Sequence, residues 1–184
     1  MKKNEKCHLF LTGEKGVGKS TYIKNYLAKN FSGKHIGGFY TIRSDKLFGD
    51  KFSVHIFDAA IPEGESFFSR ENFLFECGRN DTGLYEKPGK TGDNVTEIFD
   101  TLGVEILSNS VKNNPDIIVM DEIGPHEFKA AKFKEEIFKI LDADTPVIGV
   151  IQKVEEGMPG FSELEEIKNH PKVRVKVMEM KEVL

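Results

Sequence analysis

The chain has 184 residues, a formal net charge of -4, 39% hydrophobic and 30% charged residues. A length of this order holds one α/β domain with its own core, and the balance excludes a disordered chain, which pairs few apolar residues with a large net charge. It also argues against a nucleic-acid-binding surface, which shows as a basic domain or basic face, and no run approaches the roughly 20 apolar residues of a membrane span.

Cys7 to Thr12 is a short apolar run ending at Gly13, and from Gly18 helical spacing sets in through Tyr22, Ile23, Tyr26 and Leu27, so the start reads as strand, glycine loop, helix. Ile36–Ile42 and Phe52–Phe57 are two β-rich segments, expected as an antiparallel hairpin with Arg43 to Asp50 as a long turn. The stretch from Ile61 to Asn94 is rich in Gly, Asp, Glu and Asn and carries an aromatic cluster, Phe67, Phe68, Phe73 and Phe75. It receives no firm assignment beyond a candidate short strand at Leu84 and Tyr85, and residues 61–94 are a candidate mobile lid. Val95, Ile98, Phe99, Leu102, Ile106 and Leu107 form a helix-period stripe that Asn113-Asn114-Pro115 ends. Ile117 to Met120 is all apolar and fits a strand buried on both faces of a parallel sheet. A helix over Phe128–Leu141, a strand over Pro146–Ile151, a short helix over Phe161–Asn169 and a strand over Val173–Met178 complete one α/β domain, 1–184, with a mostly parallel sheet.

Gly13-Glu14-Lys15-Gly16-Val17-Gly18-Lys19-Ser20 satisfies the phosphate-loop pattern of Gly, four residues, then Gly-Lys-Ser. Its glycines let successive N–H groups turn inward around phosphate oxygens, and the helix beginning near Gly18 adds the positive end of its dipole. Lys19 supplies a charge at the β/γ-phosphates, Ser20 a hydroxyl for Mg²⁺, and Thr21 extends the loop's nucleotide-binding set. Asp121 follows the apolar strand at the sheet end where open α/β sheets bind ligands, and fits the role of holding Mg²⁺ opposite Ser20. Glu122, the next residue, is the candidate to deprotonate a water aimed at the γ-phosphate. Phosphoryl transfer also calls for a further cation. Arg43, Arg79 and Lys15 are the candidates, each weighed against a plain solvated side chain.

The five histidines are dispersed without metal-ligand spacing, and no Asn/Thr-Lys-x-Asp guanine-reading tetrapeptide occurs. Cys7 and Cys77 form no metal-type spacing and are expected reduced. The apolar run after the charged N-terminus is too short for a signal-peptide core. Cytoplasmic residence is therefore expected, with a nucleoside triphosphate as the partner, no nucleic acid and no membrane; the sequence does not identify a protein partner.

With these segments placed, the chain resembles the small nucleoside-triphosphatase family that includes the cancer-related nucleoside-triphosphatase. The resemblance is carried by Phe10-Leu11-Thr12-Gly13 through Ser20-Thr21, by Gly38-Phe39-Tyr40-Thr41, and by Asp121-Glu122-Ile123-Gly124 with Glu127, and its order covers nearly the whole chain. Pro125 stands where the family has a lysine, and Asp50-Lys51 where an arginine is expected. The resemblance implies a P-loop NTPase fold with a RecA-like sheet and helices on both faces, and slow Mg²⁺-dependent hydrolysis of several nucleoside triphosphates to diphosphate and phosphate. A nucleotide or small-molecule kinase and a non-catalytic nucleotide-binding regulatory module are the competing readings.

Overall fold

A computed structural model describes residues 7–48, 51–62, 68–78 and 95–179. In chain order the elements are β1 (His8–Gly13), α1 (Lys19–Asn30), β2 (Ile36–Phe48), β3 (Lys51–Asp58), β4 (Phe73–Gly78) and α2 (Val95–Ile98), which a π-helical turn joins to α3 (Val104–Lys112). There follow β5 (Ile117–Ile123), a 3-10 turn at Glu127–Lys129, α4 (Ala131–Asp142), β6 (Val147–Ile151), α5 (Phe161–Lys168) and β7 (Val173–Met178).

Among the described residues the strands form one seven-stranded sheet in the order β4-β3-β2-β5-β6-β1-β7. β2, β5, β6, β1 and β7 run parallel, while β3 pairs antiparallel with both β2 and β4. This is the expected RecA-like arrangement with an antiparallel extension, since β6 separates the phosphate-loop strand β1 from the carboxylate strand β5.

The period-2 alternation of the strands sorts their side chains into two cores. Leu9 and Leu11 of β1, Ile117 and Val119 of β5, and Ile148 and Val150 of β6 pack with Ile23 of α1 on one face. Phe10, Ile118, Met120 and Ile151 point the other way, into a larger core closed by α3, α4 and α5 through Leu107, Phe133, Ile137 and Leu164. The helices therefore lie on both faces, but among the described residues a single one, α1, serves the smaller core.

Three expectations change. Arg43 is not in a turn: β2 continues through Phe48, pairs Arg43 with Val54 of β3, and absorbs its polar stretch in a register shift between Ser44 and Phe48. Phe73–Gly78, within the unassigned segment, is the third strand of the extension, with Phe75 paired to Val54 and Phe73 to His55. Six residues of the candidate lid are thus a hydrogen-bonded strand; the candidate strand at Leu84 and Tyr85 lies outside the described residues. Finally, β5 runs three residues past Met120, so Asp121 and Glu122 belong to the strand itself.

Candidate functional site

Residues 14–18 link β1 to α1 and place the phosphate loop at the carboxyl edge of the parallel strands. Gly13 has φ 141°, and a side chain there would overlap the Met178 carbonyl oxygen of the neighbouring strand. Gly18, the N-cap of α1, is left-handed at φ 93°, a conformation that costs other L-residues energy. No side chain caps α1, and its first turn carries no acidic residue. The leading N–H groups of the helix are therefore open to an anion, with the dipole favouring negative charge there.

Lys19, the first residue of α1, bends back over the loop, and its ammonium donates to the carbonyl oxygens of Gly13 and Glu14, each at 2.9 Å. The next residue, Ser20, sets its hydroxyl beside the Asp121 carboxylate. Asp121 and Glu122 are half-buried neighbours on β5, joined by a cis peptide bond. Burial raises the Asp121 carboxyl above the ordinary carboxylate value, opposed by the Ser20 hydroxyl and by the Lys19 and Lys24 charges. Burial also raises Glu122; Lys19 opposes it, the adjacent Asp121 adds to it, and Lys15 opposes it more weakly. Four residues chosen from the sequence, Lys19, Ser20, Asp121 and Glu122, therefore meet in one electrostatic cluster, with Lys15 close enough to act on Glu122.

Behind this cluster sits Glu127, whose carboxylate accepts the Gly124 N–H at 2.8 Å in a buried turn. Burial pushes its carboxyl up to about 7, with a further push from Glu122 and opposing help from the backbone N–H groups of Glu127 and Gly124. Glu127 thus holds a proton more readily folded than unfolded, and stability should fall as pH rises from the ordinary value of 4.5 to about 7. Glu127→Gln, neutral throughout, is expected to flatten the stability profile across that window and to gain on the order of 3 kcal/mol over wild type at higher pH. Urea unfolding of both proteins at several pH values reads the difference. Parallel profiles would remove Glu127 as its source.

Of the candidate arginines, Arg43 is exposed on β2 with its guanidinium 5.4 Å from the centre of the Phe52 ring. It lines a pocket of about 370 Å³ that also includes Ser20, Lys24, Tyr40, Ile61 and Asp121. Arg79 lies outside the described residues. A residue outside the sequence motifs also reaches the loop: Lys153, after β6, pairs its ammonium with the Glu14 carboxylate. The charge of Lys153 holds the Glu14 carboxyl below the ordinary range, with a weaker contribution from Lys19. Sequence spacing cannot find Lys153, because its nearness to the loop follows from β6 lying beside β1.

Among the described residues no group of three or more His, Cys, Asp or Glu side chains gathers as a metal cage. The hydroxyl of Ser20 beside the half-buried Asp121 carboxylate instead offers two hard oxygen donors at the mouth of the glycine loop. That set suits Mg²⁺, which takes one or two protein oxygens and completes its shell with phosphate and water.

A family model described as NTPase matches residues 8–182. The nucleoside-triphosphatase THEP1 of Saccharolobus solfataricus is 29% identical over 175 residues, covering 92% of this chain and 90% of its own. That of Thermotoga petrophila is 33% identical over 150 residues, covering 79% and 72%. Among solved structures, THEP1 from Aquifex aeolicus superposes with a TM-score of 0.58 at 22% identity, covering 93% of this chain and 89% of its own. A human cancer-related nucleoside triphosphatase gives 0.53 at 20% identity, covering 96% and 89%. The structural matches show the shared fold.

Proposed function

The chain belongs to the NTPase family, and from that premise we propose that this nucleoside-triphosphatase cleaves the γ-phosphate of several nucleoside triphosphates, giving diphosphate and phosphate, with Mg²⁺ held by Ser20 and Asp121. The observation that carries the reading is the adjacency of Asp121 and Glu122 opposite Lys19 and Ser20. One carboxylate is committed to the metal side, and its neighbour is free to serve water.

In this mechanism the loop N–H groups from Glu14 to Ser20 and the α1 N-terminus hold the β- and γ-phosphates. Lys19 exchanges its two carbonyl partners for phosphate oxygens. When bound, Mg²⁺ neutralises charge on the β- and γ-phosphates and fixes their orientation. Glu122 accepts a proton from the water whose oxygen bonds to γ-phosphorus. The bond from γ-phosphorus to the bridging oxygen then breaks, and that oxygen leaves on the diphosphate. The raised carboxyl of Glu122 suits the task, because a general base works best with a pKa drawn towards the operating pH. No part of the cluster reads a base, which supports broad tolerance.

A kinase reading has one observation in its favour: the pocket beside Ser20 and Asp121 has an apolar wall of Ile23, Leu27, Ile36 and Val119 that an acceptor could occupy. Phosphate release from γ-labelled ATP, GTP, CTP and UTP, repeated with nucleosides and monophosphates, separates the two. Slow, steady release from all four triphosphates, undiverted by acceptors, is expected. Label on an acceptor faster than in free phosphate would make the protein a kinase, and tight binding with no release would make it a regulatory module.

A further inference from the structure

The proposed hydrolysis needs a cation on the charge that develops at the γ-phosphate. Neither arginine drawn from the first half of the sequence is docked on the loop: Arg43 rests over Phe52 on the hairpin, and Arg79 lies outside the described residues. Lys15 and Lys19 are both residues of the loop that receives the phosphates, and meet substrate from the ground state onward. A separate group has to meet the charge that appears only in the transition state.

We propose that Lys153 is that catalytic cation, delivered from the β6 side and docked on Glu14 until the transition-state charge develops. Three observations carry it. First, β6 lies between β1 and β5, so the chain leaving β6 emerges between the phosphate loop and the Asp121–Glu122 pair. Second, that exit is anchored, because the Gln152 N–H donates to the Ile123 carbonyl oxygen at 2.8 Å, one residue beyond Glu122. Third, the Lys153 ammonium bonds to the carboxylate of Glu14, a residue of the loop itself.

The pair is built to exchange. Both side chains are more than half exposed, at 57% for Lys153 and 68% for Glu14, and solvent-exposed ion pairs are weakly held. The negative charge that develops on the γ-phosphate oxygens as the bond to the diphosphate breaks outcompetes one exposed carboxylate for the ammonium. A lysine suits this role, since its point charge rides on a flexible four-carbon stem and can move without reorganising the backbone. During hydrolysis it makes and breaks no covalent bond; it balances negative charge while Glu122 takes the proton from water and the diphosphate leaves.

This inference rests on the hydrolysis reading, so its test needs one measurement that does not depend on turnover. Lys153→Ala, Lys153→Arg and Glu14→Gln would be compared with wild type for kcat and KM with Mg-ATP, and for binding of Mg-ADP with and without fluoroaluminate, which mimics the transferring phosphoryl group. Lys153→Ala is expected to lower kcat roughly a hundredfold or more, to change Mg-ADP binding less than about threefold, and to weaken the fluoroaluminate complex by a factor close to the loss in kcat. Lys153→Arg should recover most of both losses. Glu14→Gln, which frees the ammonium, should change Mg-ATP binding less than about threefold and tighten the fluoroaluminate complex. A kcat for Lys153→Ala within about threefold of wild type would overturn the proposal. So would a matching kcat loss in Glu14→Gln, since the lysine would then merely be holding the loop. A wild type that releases no phosphate, but whose fluoroaluminate complex still depends on Lys153, would overturn the hydrolysis reading and leave the cation's role standing.

Discussion

Lys19→Ala is expected to abolish triphosphate binding. In the free protein the Lys19 ammonium already spans the loop, donating to Gly13 and Glu14 at 2.9 Å each, so its charge is held where the proposed mechanism seats the phosphates. Truncating one partner of a close charge pair costs about 2 to 5 kcal/mol, which is roughly thirtyfold to several thousandfold in affinity. The uncapped start of α1 would remain, but a helix terminus contributes only about 0.3 to 2 kcal/mol to holding an anion. Calorimetric titration with Mg-ATP and Mg-GTP measures the loss, with thermal unfolding as a check that the variant folds. Unchanged affinity in a folded variant would sink the phosphate-loop assignment.

Glu122→Gln should leave Mg-ATP binding near the wild-type value and lower kcat by roughly a hundredfold or more, the usual size of a lost acid–base contribution. The substitution conserves shape and one hydrogen-bonding oxygen but removes the capacity to take a proton. It also removes a negative charge beside Asp121, which lowers the cost of ionising that carboxyl and works in favour of metal binding. Loss of turnover without loss of binding is therefore the expected signature. If the variant turned over like wild type, the water would have to be activated elsewhere, and Glu127, buried behind the cluster with its carboxyl at about 7, would be the next group to replace.

Much of this site is legible without coordinates because its chemistry is local in sequence. Gly13 to Ser20 and the run Ile117 to Glu122 each carry their meaning within eight residues or fewer, and the strand and helix around them follow from hydrophobic period alone. What escapes is what depends on neighbours. Phe73–Gly78 is short and surrounded by loop-forming residues, and becomes a strand because β3 offers it a partner. β2 continues through Arg43, Ser44 and the polar residues beyond for the same reason, its pairing with β3 overriding weak local propensity. The approach of Lys153 to Glu14 could be anticipated only by someone who knew that β6 comes between β1 and β5.

That interposed strand also has a kinetic meaning. The phosphate loop ends at Ser20, its carboxylates stand at 121 and 122, and the strand that fixes their spacing spans Val147–Ile151. These pieces are adjacent in space and remote along the chain, so assembling them requires closing long loops before any local reward appears, the situation in which parallel sheets form slowly. No early fragment containing only β1, the loop and α1 has the complete ligand set. A nucleotide that engages both Lys19 and Asp121 therefore binds only the assembled sheet, and by mass action it stabilises that state over every partly folded one. A nucleoside triphosphate in excess would then act as a selective ligand for chains that have finished folding.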